Sequence, residues 1–146
     1  MKELTLLATL EATDEVLAFV DEQMESYHCD PCIQLPIDVA VEELYVNIAH
    51  YAYRPDKGPA TIRVEVEPDP LTVVITFLDE GMPYDPLSKP DPDFSLPVEA
   101  RPIGGLGIYM VKNSMDAVEY RYENGRNILT IRKQFHELRD DGEPDD

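Results

Sequence analysis

The order of patterns along the chain predicts an α+β fold, a two-layer α/β sandwich with one mostly antiparallel sheet. Three observations carry that expectation. Residues 60–67 alternate and residues 71–78 run apolar on either side of Pro68-Asp69-Pro70, as the two strands of a hairpin do. Residues 117–122 and 127–133 repeat the arrangement about Glu123-Asn124-Gly125-Arg126, whose Asn-Gly step is a strong hairpin signal. The order is strand, two helices, two strands, long loop, helix, two strands, so helices and hairpins segregate rather than alternate one by one.

Residues 4–10 alternate loosely and suit an edge strand. From Thr13, a residue able to cap a helix, Val16, Leu17, Val20 and Met24 recur at helical spacing, and the pattern stops near Tyr27. A second helix is expected from about Pro36 to Tyr51, with Ile37, Val41, Leu44, Ile48 and Ala49 on its apolar face and no evident cap. The run 71–78 is apolar enough for a central strand. Residues 83–102 contain Pro83, Pro86, Pro90, Pro92, Pro97 and Pro102, a density that neither a helix nor a central strand tolerates. A loop of that length inside a compact domain is often a functional lid. Residues 107–115 suit a short helix. Residues 1–136 are expected to form one domain, and residues 137–146 an acidic, disordered tail with nothing apolar to bury.

The composition narrows the function. The 146 residues are enough for one domain, and 43% hydrophobic residues support a core without disulfides or metal. No apolar run is long enough to span a membrane, and the first residues do not resemble a signal peptide, so a cytoplasmic location is expected. The net charge is −18, from 12 Lys and Arg against 30 Asp and Glu. That balance speaks against nucleic acid and anionic membranes as partners. Cys29 and Cys32 lie in Cys-Asp-Pro-Cys, but no second cysteine pair completes a zinc site, and the motif falls between helical patterns. It reads as a helix–helix turn broken by Pro31. His28 and His136 have no partner visible in the sequence, and His50 reads as structural.

Three short motifs could carry chemistry. Glu43 and Asn47 are four residues apart and share a helix face. Asn offers a neutral oxygen to Mg²⁺, and Glu offers a base one turn away; the same pair also suits a solvated helix edge. Asp79 follows the central strand directly and can accept a hydrogen bond from an exocyclic amine, with Gly81 permitting close backbone approach; a plain Asp-x-Gly turn would look the same. Gly104, Gly105, Leu106 and Gly107 open a helix, where free amides and the positive dipole end suit phosphate. The Gly-Lys-Ser/Thr ending of a Walker loop is absent. Arg101 is the candidate cation for a phosphate chain, whereas Lys112 lies too far along the helix. Together the motifs point to Mg-ATP.

In this order the motifs resemble the boxes of the GHKL ATPases, the group that includes gyrase and the histidine kinases. Glu43-Leu44-Tyr45-Val46-Asn47 through Tyr53 resembles the N-box, Asp79-Glu80-Gly81 through Pro86 the G1 box, and Gly104-Gly105-Leu106-Gly107 through Asp116 the G2 box. Within the group the chain is similar to the anti-sigma-factor serine/threonine kinases, over about residues 4–135. The resemblance implies a two-layer sandwich with ATP beneath a mobile lid. It implies Asn47 as the Mg²⁺ ligand, Asp79 and Gly81 at adenine, Gly105 and Gly107 at the phosphates, and Glu43 as general base toward a serine. The implied partners are a STAS-domain anti-anti-sigma factor and a sigma factor, with homodimerisation through the sheet side. The proline-rich lid follows no pattern of the family.

Three activities compete on these residues: a serine protein kinase, an ATP-gated regulatory binding protein without significant kinase activity, and an ATP-hydrolysing module. The chain is short for the third, which needs a transducer domain.

Overall fold

The computed structural model describes residues 1–88, 95–97 and 106–138. Five strands, β1 (Lys2–Leu7), β2 (Pro59–Glu67), β3 (Thr72–Asp79), β4 (Ala117–Glu123) and β5 (Arg126–Gln134), form one antiparallel sheet in the order β1-β2-β3-β5-β4. Three helices, α1 (Thr13–Glu25), α2 (Pro31–Tyr51) and α3 (Leu106–Ser114), pack with it. The expected α+β architecture is therefore present, with β1 at an edge and β3 central.

Alternation decides which residues reach the helices. Ile62 pairs with Phe77, Val64 with Ile75, Phe77 with Leu129 and Ile75 with Ile131, so one face of the sheet is continuously apolar. Against it lie Val16, Val20 and Met24 of α1 and Ile37, Ala40, Val41, Leu44 and Tyr45 of α2. Tyr45 is fully buried, and its hydroxyl remains satisfied by donating to the Thr9 carbonyl at 2.7 Å and accepting from the Thr9 amide at 3.0 Å. The β4–β5 hairpin turns through Asn124 and Gly125, both with positive φ (53° and 77°), as a two-residue type I′ turn requires.

Four local expectations are corrected. First, α2 begins at Pro31, not Pro36. Pro31 occupies its first turn, where no intrahelical N–H partner is needed, and the Asp30 carboxylate accepts from the Cys32 amide at 2.9 Å as the cap. Pro36 lies inside the helix, where it lacks the N–H that would bond the carbonyl four residues back. Second, Thr13 does not cap α1; its hydroxyl donates to the Leu10 carbonyl, closing the short 3₁₀ turn Leu10–Ala12. Third, His136 has a partner: its Nε2 lies 2.9 Å from Asp30 Oδ2, and the Asp30 amide donates to the His136 carbonyl. Fourth, Glu137 and Leu138, assigned by sequence to the tail, are tied to the body through a Cys29–Glu137 bridge and a bond from the Leu138 amide to the His28 carbonyl. The rest of the tail, residues 139–146, lies outside the described residues.

Cys29 and Cys32 are free thiols. Burial, with Asp30 and Asp38 nearby, pushes the Cys29 thiol up to about 11, so it stays protonated and unreactive.

Asp38 of α2 faces Asp21 and Glu25 of α1. Burial, a hydrogen bond with Asp21 and the charges of both neighbours push its carboxyl up to about 8. A carboxyl raised on folding binds an extra proton in the folded state. Its stabilisation is complete below the unfolded value of 3.8 and is lost as pH rises through about 8. Thermal stability is therefore expected to fall between about pH 5 and pH 8, and Asp38→Asn, which cannot ionise, should flatten that fall. Melting followed by circular dichroism across this range checks it; an unchanged slope in the variant would place the dependence elsewhere.

Candidate functional site

The inward-facing series of β3 runs Val73, Ile75, Phe77 and then Asp79, where a carboxylate takes the place of the next apolar side chain. Directly across the ladder, the inward series of β5 runs Ile131, Leu129 and then Asn127. Two buried polar residues thus close the end of the apolar sheet face, and both are hydrogen-bonded. Asp79 Oδ1 accepts from the Gly81 amide and from Asn127 Nδ2, each at 2.9 Å. Burial pushes the Asp79 carboxyl upward, and these two bonds pull against it. Asn127 Nδ2 also donates to the Met82 carbonyl at 2.9 Å, while its Oδ1 accepts from the Tyr84 amide at 3.1 Å and from the Tyr120 hydroxyl. Sequence reading missed Asn127. A polar residue in register with Asp79 on the inner face of a hairpin strand was the available signal.

The segment after β3 is fastened to the end of α2. The Met82 amide donates to the Ala52 carbonyl at 2.9 Å, and the Glu80 amide donates to the Tyr53 hydroxyl, which itself donates to the Pro59 carbonyl. Gly81 packs so tightly here that a Cβ would lie 2.1 Å from the Ala52 carbonyl oxygen. Because that obstacle is backbone, Gly81→Ala is expected to cost about 2–3 kcal/mol of stability and to displace Asp79. Denaturant melts check it; a midpoint equal to wild type would contradict this packing.

Glu43 and Asn47 share one face of α2, as their spacing predicts. Asn47 lines a small pocket together with Leu44, Ile48, Phe77, Asp79, Tyr84 and Asn127, among others. Its Nδ2 is buried without a hydrogen-bond partner. Such an atom is costly unless a ligand uses it. The two ends of a carboxamide exchange by a half-turn, so the oxygen can occupy the same place. One turn earlier, the Glu43 carboxylate lies against the first turn of α3, where a Cβ on Gly107 would fall 2.2 Å from Glu43 Cδ. A side chain at Gly107 would therefore have to displace the Glu43 carboxylate, the movable end of its side chain. Gly104 and Gly105 and the candidate cation Arg101 lie outside the described residues, as does much of the proline-rich segment, while the backbone of Leu106 opens α3. Lys112 sits in the last turn of α3, at the opposite end from the glycines.

The pocket is an apolar slot with a few fixed polar groups, the general form of a small-molecule site. Ile48, Phe77 and Leu129 supply its apolar lining, and Asp79 and Asn127 stand among its polar groups. The unpartnered Asn47 amide fits a Mg²⁺ ion that takes its other oxygens from phosphates and water. Among the described residues no group of His, Cys, Asp and Glu could hold a metal unaided, so the phosphates would be part of the site. No described helix is long and apolar enough to cross a membrane.

Comparison with known proteins follows the same lines. Residues 6–133 match the histidine kinase-like ATPase domain family. The serine-protein kinase RsbW of Bacillus cereus is 32% identical over 111 residues, covering 73% of this chain and 68% of that protein. RsbW of Bacillus mycoides is 31% identical over 109 residues, with the same coverage. Among solved structures, the RsbU and RsbW domains of Rv1364c from Mycobacterium tuberculosis superpose with a TM-score of 0.64 at 17% identity. That match covers 92% of this chain but 33% of the other, and it speaks to the fold.

Proposed function

Since the chain belongs to the histidine kinase-like ATPase family, and within it to the anti-sigma-factor serine kinases, we propose that it transfers the γ-phosphate of Mg-ATP to a serine of a STAS-domain anti-anti-sigma protein and that it sequesters a sigma factor. The observation that carries this reading is the placement of Glu43. Its carboxylate sits against Gly107 at the amide-rich start of α3, one turn from the unpartnered Asn47 amide and on the helix that walls the base pocket. This supports a reading in which Glu43 is the base, Asn47 the metal ligand and the start of α3 part of the phosphate cradle.

In this reading Asp79 receives the exocyclic amine of adenine, and Gly81 keeps the segment after β3 close to α2. The first-turn amides of α3, with Gly104, Gly105 and Arg101, hold the phosphates. Asn47 holds Mg²⁺, which when bound neutralises phosphate charge. Glu43 takes the proton of the serine hydroxyl; the serine oxygen bonds the γ-phosphorus as the bond to the β-phosphate oxygen breaks, and ADP leaves. Most of the rate gain in such a transfer comes from positioning and charge stabilisation, which suits a protein with few free cations.

The test is incubation with γ-labelled ATP, Mg²⁺ and a STAS-domain protein, followed by phosphopeptide mapping. Label on a serine is expected. An ATP-dependent complex with no phosphoprotein would favour the gated-binding reading instead, and ATP turnover without a partner would favour hydrolysis.

A further inference from the structure

We infer that Asn127 is the specificity-determining positioning residue of the base pocket: it fixes Asp79 as a hydrogen-bond acceptor toward the ligand and so selects a purine with a 6-amino group over one with a 6-oxo group. This rests on the ATP reading above and deepens it. The orientation of the Asn127 carboxamide is dictated by groups of fixed polarity. The Tyr84 amide can only donate, and it meets Oδ1 at 3.1 Å; the Met82 carbonyl can only accept, and it meets Nδ2 at 2.9 Å. A flipped amide would set donor against donor and acceptor against acceptor. The Tyr120 hydroxyl fills the second position on Oδ1, and the remaining N–H goes to Asp79 Oδ1 at 2.9 Å. All four hydrogen-bonding positions of the carboxamide are taken by protein. Asn127 therefore has nothing left for a ligand and acts through Asp79.

Both donors that reach Asp79, the Gly81 amide and Asn127 Nδ2, converge on Oδ1. Oδ2 has no hydrogen bond among the described residues and is the oxygen left for a ligand. Ionised, it accepts from an exocyclic amine and repels a carbonyl oxygen. Burial already favours the neutral acid at this position. Without the Asn127 donor that tendency is unopposed at one of two points, and the acid's O–H can donate to a 6-oxo group.

The test compares Asn127→Thr with Asn127→Val, two residues of nearly equal shape that suit a strand and differ by one hydroxyl. Affinities for ATP and ITP, each with Mg²⁺, are measured by competition against a fluorescent ATP analogue. Wild type and the Thr variant are expected to prefer ATP by at least about tenfold. In the Val variant the preference should fall below about threefold, with ITP binding more tightly than it does to wild type. A general loosening of the pocket would weaken both nucleotides and leave the ratio alone. A wild-type ratio in the Val variant, or equal loss of preference in both variants, overturns the assignment. If near-ultraviolet circular dichroism shows either variant unfolded, Tyr120→Phe replaces the comparison; it removes one group that orients the amide. It should narrow the ratio at least about threefold, and an unchanged ratio overturns the assignment. A wild type that binds neither nucleotide defeats the ATP reading itself, whereas one that binds both equally defeats only the selectivity.

Discussion

Glu43→Gln is expected to lower phosphoryl transfer to a STAS-domain serine by about 10²–10⁴-fold while leaving Mg-ATP affinity within about threefold of wild type. The substitution keeps the side chain's shape where it packs on Gly107, so the start of α3 is not disturbed. Its carbonyl oxygen can still face the amides of that turn. What is lost is the capacity to take a proton. Glu43 is not among the residues lining the base pocket, and this is why binding and transfer should separate. Single-turnover transfer from labelled ATP, paired with nucleotide titration, reads both quantities. Transfer at the wild-type rate would remove Glu43 from the base role, and a parallel loss of affinity would make it a binding residue instead.

The second large effect falls on nucleotide binding. Asp79→Asn should weaken ATP by about 30–300-fold with little change in melting temperature. An Asn at this position can keep its oxygen toward the Gly81 amide and Asn127 Nδ2, because both converge on one oxygen of Asp79. Its NH₂ then occupies the place of Oδ2 and meets the adenine amine donor to donor. The fold keeps its hydrogen bonds while the ligand loses its acceptor. Calorimetry of ATP binding together with a thermal melt distinguishes this from unfolding: a large fall in melting temperature would mean that the carboxylate is structural, and undiminished affinity would mean that it does not touch the base.

How far the sequence could be read followed from how local each cause is. Both hairpins were legible because strand alternation and the Asn124-Gly125 turn are properties of adjacent residues. So was the apolar face of α1, and so was the shared face of Glu43 and Asn47. The start of α2 was not, because Pro36 reads as a boundary when considered alone. Only Asp30 and Pro31 together show that a proline-opened, carboxylate-capped turn precedes it. The contacts that make a site out of the motifs join distant residues. Asn127 reaches Asp79 across 48 positions, and His136 reaches Asp30 across 106. Register places Asn127 once the two hairpins are known to be neighbours, but nothing in the residues around it announces a polar hub. The packing of Gly107 on Glu43 depends on how α3 returns to α2, which no periodicity encodes.

The central claim is that Asn47 and Asp79 belong to one Mg-ATP site. Calorimetric titration of the full chain with ATP, in Mg²⁺ and again in EDTA, tests it most directly, with Asn47→Ala and Asp79→Asn run alongside. One saturable site per chain is expected in Mg²⁺, weakened at least about tenfold by EDTA. Asn47→Ala should erase the difference between Mg²⁺ and EDTA, while Asp79→Asn should weaken binding in both. Absence of saturable binding in Mg²⁺, or two variants that bind as wild type does, would contradict it.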